Sequence, residues 1–285
     1  MKLTTYQSDR GPRVAGLYGT ALVDVNDSDP ALPSCPKALL ARGWDVFPRI
    51  QRALAVGRPV PLETMRLLPP IPNPEKIVCA GLNYADHARE TDMPLPAEPV
   101  LFNKFPTAVA ADGQAIVLPR ASREVDYEAE LVVVVGQGGR HIKPENARRH
   151  IAAYCCGNDV SARDWQLRKP GGQWLLGKSF DGFAPFGPWL VTADAVPDVG
   201  RLAIELRLNG HTMQRSNTSQ WIFAVDALVS YVSGVCTLSP GDLIFTGTPS
   251  GVGFARRPPV FLQPGDRVEV EIEGLGVLTN PVVAE

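Results

Sequence analysis

The stretch Glu124-Val-Asp-Tyr-Glu-Ala-Glu-Leu-Val-Val-Val-Val135 sets acids at every second position and then closes on four valines. On a strand, alternate side chains share a face. The pattern therefore predicts one long strand with Glu124, Asp126, Glu128 and Glu130 on one side, continued by Val132 and Val134. Carboxylates running into a buried apolar face are costly unless a cation or hydrogen bonds compensate them. Two carboxylates at i and i+2, joined by a third from elsewhere, make an oxygen-only site suited to Mg²⁺ or Mn²⁺. The same acids also fit the solvated face of an edge strand, and this stretch alone leaves both readings open.

Outward from this strand the pattern stays mostly β. Short apolar runs predict strands at Lys76–Ala80, Leu202–Leu208, Leu243–Thr246, Arg267–Ile272 and Val277–Leu278. Gly and Pro are abundant, at 26 and 27 of 285 residues, as expected of many strands joined by turns. Leu-x-Pro-Gly-Asp recurs at Leu238–Asp242 and Leu262–Asp266, each time leading into a strand. Helices are expected over Tyr84–Thr91, over residues 145–154, and over Ser161–Lys169, where Ser161 and Asp164 resemble a capping box. Residues 1–70 carry alternating runs and a weakly helical stretch near Ala38–Val56. Four prolines within Pro69–Pro74 form a stiff connector. The expected organisation is α+β, predominantly β: a small N-terminal α+β leader domain over 1–70 and a main domain over 71–285.

Composition narrows the function. Lys and Arg total 28 against 30 Asp and Glu, a net charge of −2 without the basic excess of a nucleic-acid or anionic-membrane binder. The polar start, MKLTTYQSDRGPR, lacks the apolar core of a secretory signal, and no apolar run is long enough to span a bilayer. Five cysteines without C-x-x-C spacing fit a reducing compartment, and a cytoplasmic location is expected.

Several further constellations carry chemistry. Asn158-Asp159-Val-Ser-Ala-Arg163-Asp164 offers Asp159 as a third carboxylate ligand and Arg163 for an anionic substrate; an Asp159–Arg163 ion pair across one helical turn is the plainer reading. His87 and Glu90, in Gly81-Leu-Asn-Tyr-Ala-Asp-His-Ala-Arg-Glu90, fall at i and i+3 on one helix face. A carboxylate that orients an imidazole and raises its basicity makes a general base, although such a pair also occurs as a surface ion bridge. Lys178, between glycine turns in Gly177–Gly182, is a candidate for holding developing negative charge. Thr246–Gly253 could present backbone N–H groups and the Thr248 hydroxyl to a carboxylate. There is no P-loop, no Gly-x-Ser-x-Gly elbow and no Gly-x-Gly-x-x-Gly fingerprint.

The order of these motifs is specific. Gly-Leu-Asn-Tyr-x-x-His-x-x-Glu, Phe102-Asn-Lys104-Phe-Pro-Thr, Asp-Tyr-Glu-x-Glu-Leu, Asn-Asp-x-Ser-Ala-Arg-Asp, Gly-Lys-Ser-Phe-Asp and Pro-Gly-Asp-Leu-Ile-Phe-Thr-Gly-Thr-Pro follow one another over about residues 72–283. The set resembles the fumarylacetoacetate hydrolase family. The resemblance implies a mixed-β sandwich-like roll, a homodimer, and Mg²⁺ or Mn²⁺ held by Glu128, Glu130 and Asp159. It assigns His87 and Glu90 to a catalytic dyad and Lys178 to the active-site lysine. Arg163, Gln166 and Thr248 fall where members contact the substrate's carboxylate end. A divalent ion on a 2-oxo acid acts as a Lewis acid and electron sink, so bonds at C3 become breakable. The first expectation is an acylpyruvate-type hydrolase that splits the C3–C4 bond of 2,4-dioxo acids to pyruvate and a carboxylic acid. The alternative is decarboxylation or tautomerisation of oxaloacetate, or isomerisation of an unsaturated 2-oxo dioate.

Overall fold

A computed structural model describes all 285 residues. The Ala129–Val135 strand lies at the centre of a mixed 12-stranded sheet, with Ile151–Asn158 antiparallel on one side and Leu243–Phe245 antiparallel on the other. Every residue of this strand is buried, because both of its faces are covered. Leu131, Val133 and Val135 meet Ile204, Leu206, Val268 and Val270 of a separate five-stranded sheet. Val132 and Val134 join a second core that contains Leu39, Ile50 and Leu54 from the N-terminal helices. A continuous Val/Leu run is what a strand buried on both faces requires. Two sheets packed face to face over a shared apolar layer give the sandwich-like, strand-dominated α+β architecture.

The N-terminal strands Lys2–Ser8, Gly11–Tyr18 and Ala21–Asp24 extend this same large sheet through pairing of Lys2 and Leu3 with Val191 and Leu190. The Phe47–Val56 helix buries Phe47, Ile50, Ala53 and Leu54, an i, i+3, i+4 stripe that packs toward the sheet. No helix is long and apolar enough to cross a membrane.

Three local expectations are corrected. The acidic stretch is not one strand: Val125–Asp126 pairs with Ser161–Ala162, and the main strand begins only at Ala129. Side chains interrupt the ladder between them, since the amides of Tyr127, Glu128 and Ala129 donate to Asp126 Oδ1, Asn158 Oδ1 and Gln214 Oε1. Residues 145–154 are helical only in part. Pro144–His150 forms a 3₁₀ segment, and Ile151 opens the strand to Asn158. The helix after it spans Arg163–Arg168 without a capping box: Ser161 lies on a strand and donates to the Asp159 carbonyl, while Asp164 accepts from Ser122.

Candidate active site

The acidic cluster forms where the central strand meets the loop that follows its neighbour. Glu128, Glu130 and Asp159 are all buried, with one carboxylate oxygen from each lying within 4.8 Å of the others. Their surroundings differ. Arg163 Nη2 lies 2.7 Å from Glu128 Oε1, and Lys178 Nζ bridges Glu128 Oε2 at 2.8 Å and Asp159 Oδ2 at 2.9 Å. Burial alone would raise the Glu128 carboxyl, but Lys178 and Arg163 outweigh it and hold it at about 2. Lys104 Nζ sits 2.6 Å from Asp159 Oδ1 and donates to the carbonyls of Val160, Lys178 and Phe183.

Glu130 has no cation of its own. It accepts one hydrogen bond, from the Gly247 amide at 2.7 Å. Burial, with the charges of Asp159 and Glu128 beside it, pushes its carboxyl well above the ordinary range. Counted with buried Asp126, four carboxylates face only three cations, Arg163, Lys178 and Lys104. The uncompensated charge sits on three convergent hard oxygen donors. That donor set fits a divalent cation such as Mg²⁺ or Mn²⁺.

Arg163 is largely committed to protein partners. Its Nε donates to Asp126 Oδ2 and its Nη1 to Gln166 Oε1, both at 2.8 Å, and its guanidinium lies 4.5 Å from the centre of the Phe254 ring. No Asp159–Arg163 pair forms; Asp126 and Glu128 hold the arginine instead. Gln166 spends its carbonyl oxygen on Arg163, and its amide nitrogen makes no protein hydrogen bond.

His87 and Glu90 lie on the Ala85–Glu90 helix, with Nδ1 to Oε2 at 2.9 Å. The imidazole is the inner half of the pair, 8% exposed, and Glu90 lies on its solvent side. Asn83 anchors the turn into the helix: its amide nitrogen donates to the carbonyls of Thr246 and Phe223, and its oxygen accepts from the Phe223 amide.

The glycine-rich loop behaves differently from expectation. Its amides go mainly to protein carboxylates: Gly247 to Glu130, Gly251 to Glu90, and Gly253 and Phe254 to Asp126. Glycine is needed at 247, where φ is +92° and a Cβ would lie 2.7 Å from that of Asn83. The loop thus positions three acids at once. Thr248 keeps its hydroxyl proton, since its oxygen accepts from Gln214.

A cavity of about 440 Å³ joins these groups. Of the nine site residues expected from the sequence, seven line it: His87, Glu128, Glu130, Arg163, Gln166, Lys178 and Thr248. Asp159 lies beneath Lys178, and Glu90 lies behind His87. The residue types alone do not single out Lys104, Gln214 or Phe102, and Asp126 reads only as one acid of the strand face. Lys104 carried a signal in its motif, Phe102-Asn-Lys104-Phe-Pro, where a lone lysine sits within an apolar run.

Residues 76–283 match the model described as fumarylacetoacetate (FAA) hydrolase C-terminal. The chain is 46% identical, over 99% of its own length and 92% of the relative's, to the oxaloacetate tautomerase FAHD2A, mitochondrial, of Bos taurus. Among solved structures, fumarylacetoacetate hydrolase from psychrophilic Exiguobacterium antarcticum superposes with a TM-score of 0.88 at 37% identity, all of both chains being covered. Maleylpyruvate hydrolase from Sphingobium sp. SYK-6, in complex with manganese (II) ion and pyruvate, gives 0.83 at 30% identity over 100% of this chain and 99% of that one.

Proposed function

Taking as premise that this chain belongs to the fumarylacetoacetate hydrolase family, we propose that it is an enzyme moving a proton at C3 of a 2-oxo dioate, interconverting the enol and keto forms of oxaloacetate. The observation that carries this reading is the His87–Glu90 pair, whose buried imidazole lines the same cavity as the acidic cluster. Resemblance to an oxaloacetate tautomerase across nearly the whole chain supports the choice of reaction.

Glu128, Glu130 and Asp159 would hold Mg²⁺ or Mn²⁺. When bound, the ion polarises the substrate's 1-carboxylate and 2-oxo oxygens and acidifies C3. His87 does the proton transfer. With Nδ1–H donated to Glu90, the neutral ring presents the Nε2 lone pair to the cavity. Nε2 takes the C3 proton from the keto form, and Glu90 stabilises the imidazolium. In the reverse direction the enol hydroxyl releases its proton to solvent water and the imidazolium delivers one to C3; in both directions water exchanges the proton on the C2 oxygen and resets His87, so no net proton is consumed. Lys178 has one N–H left after Glu128 and Asp159, and in this reading that donor binds the substrate's C2 oxygen. The Gln166 amide and the Thr248 hydroxyl are the remaining neutral donors for a carboxylate.

A second reading has one observation behind it. A base oriented by a carboxylate can activate water, and a structural relative is a hydrolase complexed with manganese and pyruvate. Acylpyruvate cleavage would use the same residues. The test follows loss of the enol's ultraviolet absorbance beside pyruvate release, for enol-oxaloacetate and for a short acylpyruvate, with Mg²⁺ and with chelator. Metal-dependent enol loss outpacing any pyruvate release supports tautomerisation. Intact enol with rapid acylpyruvate cleavage would replace it with hydrolysis.

A further inference from the structure

Residues 140–150 read Arg-His-Ile-Lys-Pro-Glu-Asn-Ala-Arg-Arg-His, gathering four of the chain's 28 Lys and Arg and two of its four His around a single acid, Glu145. In a chain of net charge −2 this is a strong local imbalance. The fold turns the run into a bowl. An open cavity of about 510 Å³ is lined by Arg140, His141, Lys143, Arg149 and His150, with Asn146 and no acidic side chain. Arg148 pairs with Asp226, whereas Arg140, Lys143 and Arg149 have no carboxylate within 4 Å.

The backbone under these cations is fixed. Gly139 exchanges two hydrogen bonds with Leu238, the His141 amide donates to the Ser233 carbonyl, and the Ile142 amide donates to Ser233 Oγ. His150 Nδ1 bonds the Gln137 carbonyl, and Trp44 Nε1 donates to the Arg149 carbonyl. His141 itself is held at φ +54°, a left-handed conformation uncommon for a residue other than glycine. The segment that carries these cations around one cavity is thus ordered by a framework that does not depend on them. Cations gathered this way repel one another until an anion is added.

From this we propose that the bowl binds a phosphorylated small molecule. Each phosphate group carries more negative charge than a carboxylate, about −1.5 to −2 at neutral pH, and its oxygens match the fork of an arginine. The bowl lies beyond Val135, at the opposite end of the central strand from Glu130, about 17 Å along it at the usual rise. It is a site separate from the catalytic cavity.

The test uses the full-length, Mg²⁺-loaded protein and titrates fructose 1,6-bisphosphate by calorimetry at low ionic strength, with citrate and a short single-stranded RNA as parallel probes. One bisphosphate is expected per chain. Arg140→Gln and Arg149→Gln should each weaken it about tenfold, the worth of one charge-assisted contact, and added salt should weaken it further. Turnover of enol-oxaloacetate should be unchanged in both variants, which also reports that they are folded. If either variant misfolds, Lys143→Gln, on an exposed side chain, takes its place. Binding insensitive to all three substitutions, competition with substrate, or tighter binding of citrate or RNA than of bisphosphate would overturn the assignment.

Discussion

Two buried charge networks in this molecule look alike and are built differently. In the N-terminal part, Arg13 is 5% exposed and forms a two-bond pair with Asp24, at 2.6 and 2.7 Å, with Tyr6 Oη donating to the same carboxylate. Burial would raise the Asp24 carboxyl, but Arg13 and Tyr6 more than offset this and lower it; burial and Asp24 push Tyr6 up to about 12. That network balances itself. The Glu128–Glu130–Asp159 network does not: Glu130 is left with a single amide donor, and acids outnumber cations. A buried network closed on itself reads as structure, whereas one missing a positive charge reads as a place for a ligand.

Removing a carboxylate should therefore act mainly on the ligand at one site and mainly on stability at the other. The largest effect is expected for Asp159→Asn, which should weaken Mn²⁺ binding by more than about a hundredfold and abolish turnover while the fold survives. Calorimetric titration with circular dichroism checks both parts. Retained metal-dependent activity would break the comparison. Next, His87→Ala should lower kcat by roughly 10²–10⁴-fold with little change in KM, because the proton carrier goes while the groups that hold the 2-oxo acid remain. Steady-state kinetics decide it, and Glu90→Gln should give a milder version.

At the balanced site, Arg13→Met strands Asp24 and should cost about 3–5 kcal/mol of stability. Activity per folded molecule should stay unchanged. Urea denaturation measures the first, and turnover at saturating metal the second. A smaller effect separates two acids of one cluster. In metal-free protein, Glu130→Gln removes a carboxyl whose ionisation burial and its neighbours oppose and should stabilise, while Glu128→Gln breaks contacts to Lys178 and Arg163 and should destabilise, each on the order of 1 kcal/mol. Thermal melts in chelator give the two signs.

The smallest effect concerns acid. Asp24 has a lowered carboxyl in the folded state, so its contribution is present above the ordinary carboxylate range and is lost as pH falls through its folded value. The stability gap between wild type and Asp24→Asn should hold near neutrality and close below about pH 4.

The sequence made the frame of this site legible because its signals are local. Alternation marked the strand that carries Glu130, and i, i+3 spacing placed His87 against Glu90. What it hid depends on distant partners. Ile151–Tyr154 looked helical because a short apolar run has no period of its own; pairing with residues 133–135 makes it a strand. The break at Tyr127 and Glu128 arises from amides captured by Asp126 and Asn158, and the Asn158 contact spans 30 residues. The motif marks Lys104, but its role emerges only when the fold wraps three carbonyls and Asp159 around it. The glycine loop was expected to meet a substrate carboxylate, and the fold spends its amides on Glu130, Glu90 and Asp126.

Proton transfer at C3 by His87 is the central claim, and the face to which the proton is delivered tests it most directly. Enol-oxaloacetate is ketonised in D₂O with Mg²⁺ and enzyme, the product is trapped at once by reduction to a 2-hydroxy dioate, and deuterium at C3 is located by NMR. Delivery from one fixed imidazole predicts label on a single face with wild type, and an even distribution at the uncatalysed rate with His87→Ala. Fast enzymatic ketonisation that labels both faces equally, or that survives loss of His87, would contradict it.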